Sequence, residues 1–350
     1  MITENEIKIY DKSNMFDVLS GFGGQLEEAF AIGKEVSPSD ELKSVNNIII
    51  TGLGGSAIGA DLLRSYVRYE IKAPLSVNRN YFLPAYADEN TLVIASSYSG
   101  NTEETLSAYE DAKTKGCKIV CISSGGKLSV MAESDGYFLI KIPKGYQPRC
   151  ALGFSFIPLL TLIAKLGFVR ERDSDVMNLV NYIKNKYEQY SSLNENLNSA
   201  IKLAHHLEGK IPVIYSSEDS LDIVNLRWRG QINENAKSLA FGNYLPEMNH
   251  NEIVGWQENS EILRYFAVIY LTDREDNPRV LKRIQITKQL IEPYRGIGID
   301  VAAEGNTRLE RLFDLIYLGD WISFYLAILY KIDPTPVEKI NILKNKLSEN

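Results

Sequence analysis

The sequence predicts an α/β protein built from two doubly wound parallel-sheet domains. Three observations carry that prediction: short, continuously apolar runs, turns of Gly, Ser and Thr directly after them, and helical-length segments in between. The run Thr91–Ala95 has the uniformly apolar character of a strand covered on both faces, and Asn47–Thr51 and Lys118–Ser123 read the same way. Strands alternating with helices close as right-handed crossovers, which bring the loops after the strands to one edge of the sheet.

In chain order, residues 8–36 read as one or two amphipathic helices with a hinge near Gly21-Phe22-Gly23-Gly24, expected to pack on the first domain. The strand Asn47–Thr51 runs into the glycine loop Gly52–Gly59 and a helix to about Val67. Leu75–Asn78, 91–95, Lys118–Ser123 and Tyr137–Ile142 supply the remaining strands of this half. The most apolar windows are Ala151–Phe168 and Leu312–Tyr330. Lys165 interrupts the first, and Asp314 and Asp320 the second, so both are expected as core helices. Residues 173–208 are polar and helical and suit a connecting arm. The pattern then resumes with the strand Ile211–Tyr215, the polar turn Ser216–Ser220 and a helix from Leu221 to Lys237. Next come the strand Tyr265–Leu271, a turn at Pro278 with a helix to Ile291, the strand Ile297–Val301 and a long apolar helix over 307–331. The expected domains are 1–168, with the N-terminal helices, and 169–350, with the arm and the C-terminal helices. They repeat an architecture without a legible sequence repeat.

Composition narrows the function. A chain of 350 residues is long for a single core and suits two domains, and 45% hydrophobic with 24% charged residues is the balance of a soluble globular protein. A net charge of −7 without a basic run argues against a nucleic-acid surface and leaves small molecules or proteins as partners. Cys117, Cys121 and Cys150 are odd in number and lack metal-ligand spacing against the three histidines. Reduced, buried thiols in a cytoplasmic protein are the expectation, with no metal and no cofactor. The start Met1-Ile2-Thr3-Glu4-Asn5 is polar and acidic, unlike a signal peptide, and no membrane association is expected.

The stretch Ser96-Ser97-Tyr98-Ser99-Gly100-Asn101-Thr102 reads as a phosphate cradle. Gly100 allows a sharp turn, Thr102 opens a helix, and hydroxyls converge with helix N–H groups where the helix dipole favours an anion. The loop holds no Lys or Arg, so phosphate would be bound by neutral donors, with Glu103 and Glu104 pointing outward. An ordinary Ser/Thr-capped turn is the alternative. The loop Gly52–Gly59 also satisfies the weak dinucleotide pattern Gly52-x-Gly54-x-x-Ala57, but the second strand ends in Asn78-Arg79-Asn80 where a ribose-binding acid is wanted. Arg79 could meet a 2′-phosphate, which keeps an NADP enzyme open. The other reading is a turn that lets backbone and Ser56 approach a small ligand beside the 97–102 loop.

In the second half, Glu234 lies near the end of a helix that carries Arg227, Trp228 and Arg229. Partly shielded, its carboxyl could be raised toward neutral pH to act as a base, against the alternative of a solvated helix glutamate. His250, after a proline turn, suits proton transfer near neutrality, against the alternative of a structural hydrogen bond. His205 and His206 read as structural.

The loops 52–59 and 97–102 resemble those of sugar isomerase (SIS) domains, which bind phosphosugars. Together with Gln147-Pro148-Arg149, Asn233-Glu234-x-Ala236-Lys237, Pro246-Glu247-Met248-Asn249-His250-Asn251-Glu252 and Asp333-Pro334-Thr335-Pro336-Val337, the chain from about residue 40 resembles the bifunctional phosphoglucose/phosphomannose isomerase family. The resemblance implies two SIS-type domains and an aldose-ketose isomerase acting on phosphorylated hexoses without metal. It implies that Gly55, Ser56, Ser97, Ser99 and Thr102 hold the substrate, the last three mainly its phosphate, and that Arg149 sits over the reacting oxygens. Glu234 matches the base and His250 the ring-opening group. Lys344 is the best match to a C-terminal lysine, with Lys339 and Lys346 nearby. A homodimer, with the histidine supplied by the neighbouring subunit, is also implied. Two rivals remain: a non-catalytic phosphosugar-binding regulator and an amino-sugar phosphate isomerase of the same superfamily.

Overall fold

The computed structural model describes residues 2–349. The chain divides into two compact units, one formed by residues 21–184 with 307–309 and the other by residues 1–20, 185–306 and 310–350. Two short helices, α1 (Glu4–Tyr10) and α2 (Met15–Ser20), open the chain.

The first unit begins with α3 (Phe22–Glu35) and continues through β1 (Asn47–Thr51), α4 (Gly54–Val67), β2 (Leu75–Asn78), β3 (Thr91–Ser97), α5 (Glu103–Thr114), β4 (Lys118–Ser123), α6 (Gly126–Asp135) and β5 (Phe138–Lys141). A tight turn at Pro148–Cys150 then leads into α7 (Leu152–Lys165) and the start of α8 (Asp173–Ser191). The five strands form one parallel sheet in the order β2-β1-β3-β4-β5. Both faces are covered, which is why β3 is buried at every residue and reads as an unbroken apolar run. Val93, Ala95, Ala108, Tyr109, Leu128 and Ala132 belong to the core between the sheet, α5 and α6. On the other side α4 and α3 pack on α7, whose residues 152–163 are all buried. The chain leaves β1 toward β2 on one side, while β3 lies on the other. The topological switch point therefore falls between the carboxyl ends of β1 and β3, where ligands of open α/β sheets bind.

The second unit contains α9 (Ser199–Leu207), β6 (Ile211–Ser217), α10 (Asp222–Asn235), β7 (Phe241–Leu245), α11 (Ser260–Leu263), β8 (Phe266–Thr272), α12 (Pro278–Ile291), β9 (Ile297–Ala302), α13 (Arg308–Leu329, from Glu310) and α14 (Glu338–Ser348). Its four strands are parallel in the order β7-β6-β8-β9. The strand β7 is not legible in the sequence, because Gly242 and Asn243 are poor strand formers and the edge position needs little apolar surface. Tertiary context makes it: buried Asn225 donates its Nδ2 to the carbonyls of Ile214 in β6 (2.8 Å) and Asn243 in β7 (3.1 Å).

Residues 8–20, expected with the first domain, belong to this second unit. Phe16 stands edge-on to Trp321 at 5.2 Å, and Tyr317 Oη donates to the Leu19 carbonyl at 2.9 Å. The helix α13 has the length and apolarity of a membrane span, yet its apolar window lies almost wholly buried inside the structure, as a core helix does. The acids that interrupt it are paired. Asp320 receives Arg227 Nη2 (2.7 Å), Arg227 Nε (3.1 Å) and Gln231 Nε2 (2.8 Å), and Asp314 meets Lys186 Nζ at 3.1 Å. A buried charge persists only with such partners.

Candidate active site

Two adjacent helix N-termini converge on the switch point of the first unit, those of α4 after β1 and α5 after β3. Neither carries a side-chain cap: Leu53 has no capping group, and the Thr102 hydroxyl does not bond to the α5 backbone. Thr102 Oγ1 instead lies 2.9 Å from Ser97 Oγ, which accepts from the Gly100 N–H at 3.1 Å. Ser99, exposed, accepts from the Asn101 N–H at 3.3 Å. No hydroxyl of the loop caps α5, and its hydroxyls ring a helix end whose first N–H groups have no partner inside the helix.

Neighbouring turns fix the loop. Ser56 Oγ accepts from the Tyr98 N–H at 3.1 Å, tying the glycine loop to the Ser/Thr loop. Behind Gly100, the turn after β4 holds Gly125 so close that its carbonyl would stand 1.7 Å from any Cβ on Gly100. Leu128 N–H donates to the Gly100 carbonyl (2.9 Å) and Lys127 N–H to Asn101 Oδ1 (3.0 Å). This Ser123-Ser124-Gly125-Gly126 turn escaped the sequence reading, although its pattern, Ser and Gly directly after a buried strand, is the one that marked residues 96–100. Glu103 is exposed and Glu104 only partly so.

Arg149 joins the same cluster. Its turn lies against α4 at Gly55, where a Cβ would come within 2.3 Å of the Pro148 carbonyl, so only glycine permits the approach. Arg149 is buried, with 5% of its surface exposed. The structure thus brings Gly55, Ser56, Ser97, Ser99, Thr102 and Arg149 to one end of one sheet. Arg79, the residue that kept a dinucleotide reading open, is instead paired with buried Asp61 on α4.

In the second unit Glu234 lies half-buried near the end of α10. The end of that helix is secured on both sides. Asn235 Nδ2 bonds Ser323 Oγ at 2.9 Å, and Lys237, in the left-handed region at φ +53°, donates its Nζ to the carbonyls of Glu234 (2.5 Å) and Pro334 (2.9 Å). A cation on the terminal carbonyls also complements the helix dipole. Two motifs distant in sequence, 233–237 and 333–337, are joined by this one side chain.

The segment 246–252 is pinned by the neighbours of His250. Asn249 Nδ2 bonds Thr287 Oγ1 (2.9 Å), Asn251 Nδ2 bonds Glu247 Oε1 (2.9 Å), and Glu252 receives Tyr215 Oη (2.5 Å) and Asn243 Nδ2 (2.6 Å). The His250 side chain is exposed and makes no hydrogen bond among the described residues. Lys344 lies on α14, where it is exposed along with Lys339 and Lys346, and nothing in the second unit singles it out. Among the described residues no group of His, Cys, Asp and Glu has the arrangement of a metal site.

The crevice of the second sheet differs. At the carboxyl ends of β6 and β8, Ser217 Oγ donates to Asp276 Oδ1 (2.6 Å) and the Asp273 N–H to Asp276 Oδ2 (2.8 Å). Fully buried Arg311 takes Asp273 through Nε at 2.8 Å and 3.0 Å. The hydroxyl and N–H donors there already hold a carboxylate of the chain.

Comparison with known proteins finds a SIS-type model in each half of the chain. The SIS domain model matches residues 41–164, and the bacterial phospho-glucose isomerase C-terminal SIS domain model matches residues 196–347. A bifunctional phosphoglucose/phosphomannose isomerase of Caldicellulosiruptor bescii is 50% identical over 336 residues, covering 96% of this chain and 99% of that protein. The chain belongs to the bifunctional phosphoglucose/phosphomannose isomerase family. A second bifunctional phosphoglucose/phosphomannose isomerase, from Aquifex aeolicus, is 37% identical over 96% of this chain and 99% of its own. Among solved structures, the C-terminal domain of glucosamine-fructose-6-phosphate aminotransferase from Francisella tularensis superposes with a TM-score of 0.68. It covers 92% of this chain and 96% of its own at 14% identity, a likeness of fold. The bifunctional phosphoglucose/phosphomannose isomerase family thus accounts for both halves of the chain.

Proposed function

We propose that this protein interconverts glucose 6-phosphate and mannose 6-phosphate with fructose 6-phosphate through a cis-enediol. The observation that carries the proposal is the end-to-end similarity, 50% over 96% of the chain, to an isomerase of that name. The residues the reaction calls for are present. The phosphate would be held by Ser97, Ser99 and Thr102, with Gly55 and Ser56 beside it, and its binding energy positions the reacting carbons.

The Glu234 carboxylate takes the proton from C2 of the open-chain aldose. The electron pair of that C–H bond forms the C1–C2 double bond while the C1 carbonyl oxygen gains the charge, which the Arg149 guanidinium offsets. A proton passes from the C2 hydroxyl to the C1 oxygen, and the C2–O electron pair then forms the C2 carbonyl as the abstracted proton is returned to C1, giving the ketose with no external oxidant or reductant. His250, assisted by Lys344, opens the ring by moving protons between the ring oxygen and the anomeric hydroxyl. Acid-base assistance of this kind supplies roughly 10²–10⁴-fold. Glucose and mannose 6-phosphates differ only at C2 and share the enediol, so rotation about C2–C3 of the open chain admits both. The enzyme is assigned to the cytoplasm, to glycolysis and gluconeogenesis, and to a homodimer.

The test is a coupled assay for fructose 6-phosphate from each aldose, with chelator present, using wild type and Glu234→Gln. Turnover of both sugars by wild type, lost in the variant with phosphosugar binding retained, is the expected result. Binding without turnover by wild type would make the protein a regulator, and turnover of glucosamine 6-phosphate alone an amino-sugar isomerase.

A further inference from the structure

One buried side chain outside the matched SIS segment reaches the turn that carries Arg149. Gln25, on α3, is 2% exposed and is engaged at both ends of its amide: Nε2 donates to the Cys150 carbonyl at 2.8 Å, and Oε1 accepts from the Gly153 N–H at 2.9 Å. The first partner is the residue directly after Arg149, and the second lies in the first turn of α7. An amide held this way has one orientation, because its donor and acceptor ends cannot be exchanged.

The need for such a clamp follows from the turn itself. Pro148–Cys150 is a single short turn with two backbone bonds of its own, Cys150 N–H to the Gln147 carbonyl at 2.8 Å and Ala151 N–H to the Pro148 carbonyl at 3.3 Å. Gly55 of α4 presses on its N-terminal side, and Gln25 holds its C-terminal side. Between these two supports stands Arg149. We infer that Gln25 is a positioning residue for the isomerase reaction, setting the Arg149 guanidinium against the charge that develops on the substrate oxygens. The inference rests on the role proposed above for Arg149. It also gives α3, which precedes the matched SIS segment, a part in the chemistry.

The test compares Gln25→Met, which keeps length and packing but removes both hydrogen bonds, with Gln25→Glu, which keeps an acceptor for Gly153 but no donor for Cys150. Arg149→Ala serves as the reference, and circular dichroism and urea unfolding confirm that each variant is folded. Gln25→Met should lower kcat on both sugars about 10–100-fold, as a misplacement approaching 1 Å does, while KM and competition by inorganic phosphate stay within about three-fold. Gln25→Glu should lower kcat by a smaller factor, and Gln25→Met should add nothing in the Arg149→Ala background. A merely structural glutamine would lower the unfolding midpoint and leave kcat in place, and that result in either folded variant overturns the inference. So does a parallel loss of kcat and phosphate affinity, which would mean that the phosphate loop had moved. If Arg149→Ala keeps wild-type kcat, the reading of Arg149 falls as well; if it loses kcat while Gln25→Met does not, only the role of Gln25 falls.

Discussion

The tightest approach in the loop proposed to hold the phosphate makes a quantitative prediction. Gly100 sits at φ +69°, a conformation that costs an L-residue about 1–2 kcal/mol. Gly116, at the end of α5, has nearly the same φ, +68°, but no atom lies within 4 Å of where its Cβ would stand. Alanine at Gly116 therefore measures the backbone penalty alone, about 1–2 kcal/mol of stability with activity unchanged. Alanine at Gly100 meets the Gly125 carbonyl at 1.7 Å and must open that gap to at least 3.0 Å, a shift of more than an ångström in a contact between two backbones. The Gly100 turn then drags Ser97, Ser99 and Thr102 out of register with the helix end. A displacement of that size costs about 10²-fold in kcat/KM, mostly as a higher KM for the phosphosugar. The assay is the coupled formation of fructose 6-phosphate, with urea unfolding of both variants as the stability control. A Gly100→Ala enzyme whose kcat/KM stays within about three-fold of wild type would show that this loop does not hold the phosphate.

Two further outcomes follow from burial. Burial raises the Asp276 carboxyl above its ordinary value of 3.8, against the lowering effect of its bonds to Ser217 and to the Asp273 N–H. A raised folded value favours the protonated native form, so the stability Asp276 contributes is full below 3.8 and is lost as pH rises through the folded value. The stability of wild type relative to Asp276→Asn should therefore be greater at pH ~4 than at pH ~7 in urea titrations, and a pH-independent difference would contradict it. Burial also pushes the thiols of Cys117 to about 11 and Cys121 to about 12, and Cys150 is buried as well. A disulfide reagent at pH ~8 should find no reactive thiol in the native protein and all three after unfolding, and rapid native labelling would refute the assignment of inert core cysteines.

Much of the fold was legible because buried parallel strands leave an unbroken apolar run. Residues 47–51, 75–78 and 118–123 are strands over the spans read from sequence, and 91–95 extends only to Ser97. The edge strand β7 left no such run, since what holds it is the amide of Asn225, seventeen residues upstream of Gly242 and acting through space. At the candidate site, hydroxyl and glycine positions were legible from turn chemistry, but their supports were not. Nothing local to Gln25 tells that it clamps a turn 125 residues away, and Lys237 joins the 233–237 and 333–337 motifs only in the folded chain. Arg79 shows the converse, a residue that looked available until Asp61 was found to hold it. Placement of residues 8–20 failed for the same reason, while α3 stays with the first unit: amphipathicity says that a face is buried and not which partner buries it.

The carboxylate lodged in the second sheet's crevice has a consequence for saturation behaviour. The chain repeats the architecture of a phosphate site, yet its second copy is stocked with Asp276 and Asp273, so an arriving phosphodianion would meet like charge there. Under the proposed assignment each polypeptide then takes up a single phosphosugar, and its binding isotherm is hyperbolic. Any sigmoidal response would then originate between polypeptides.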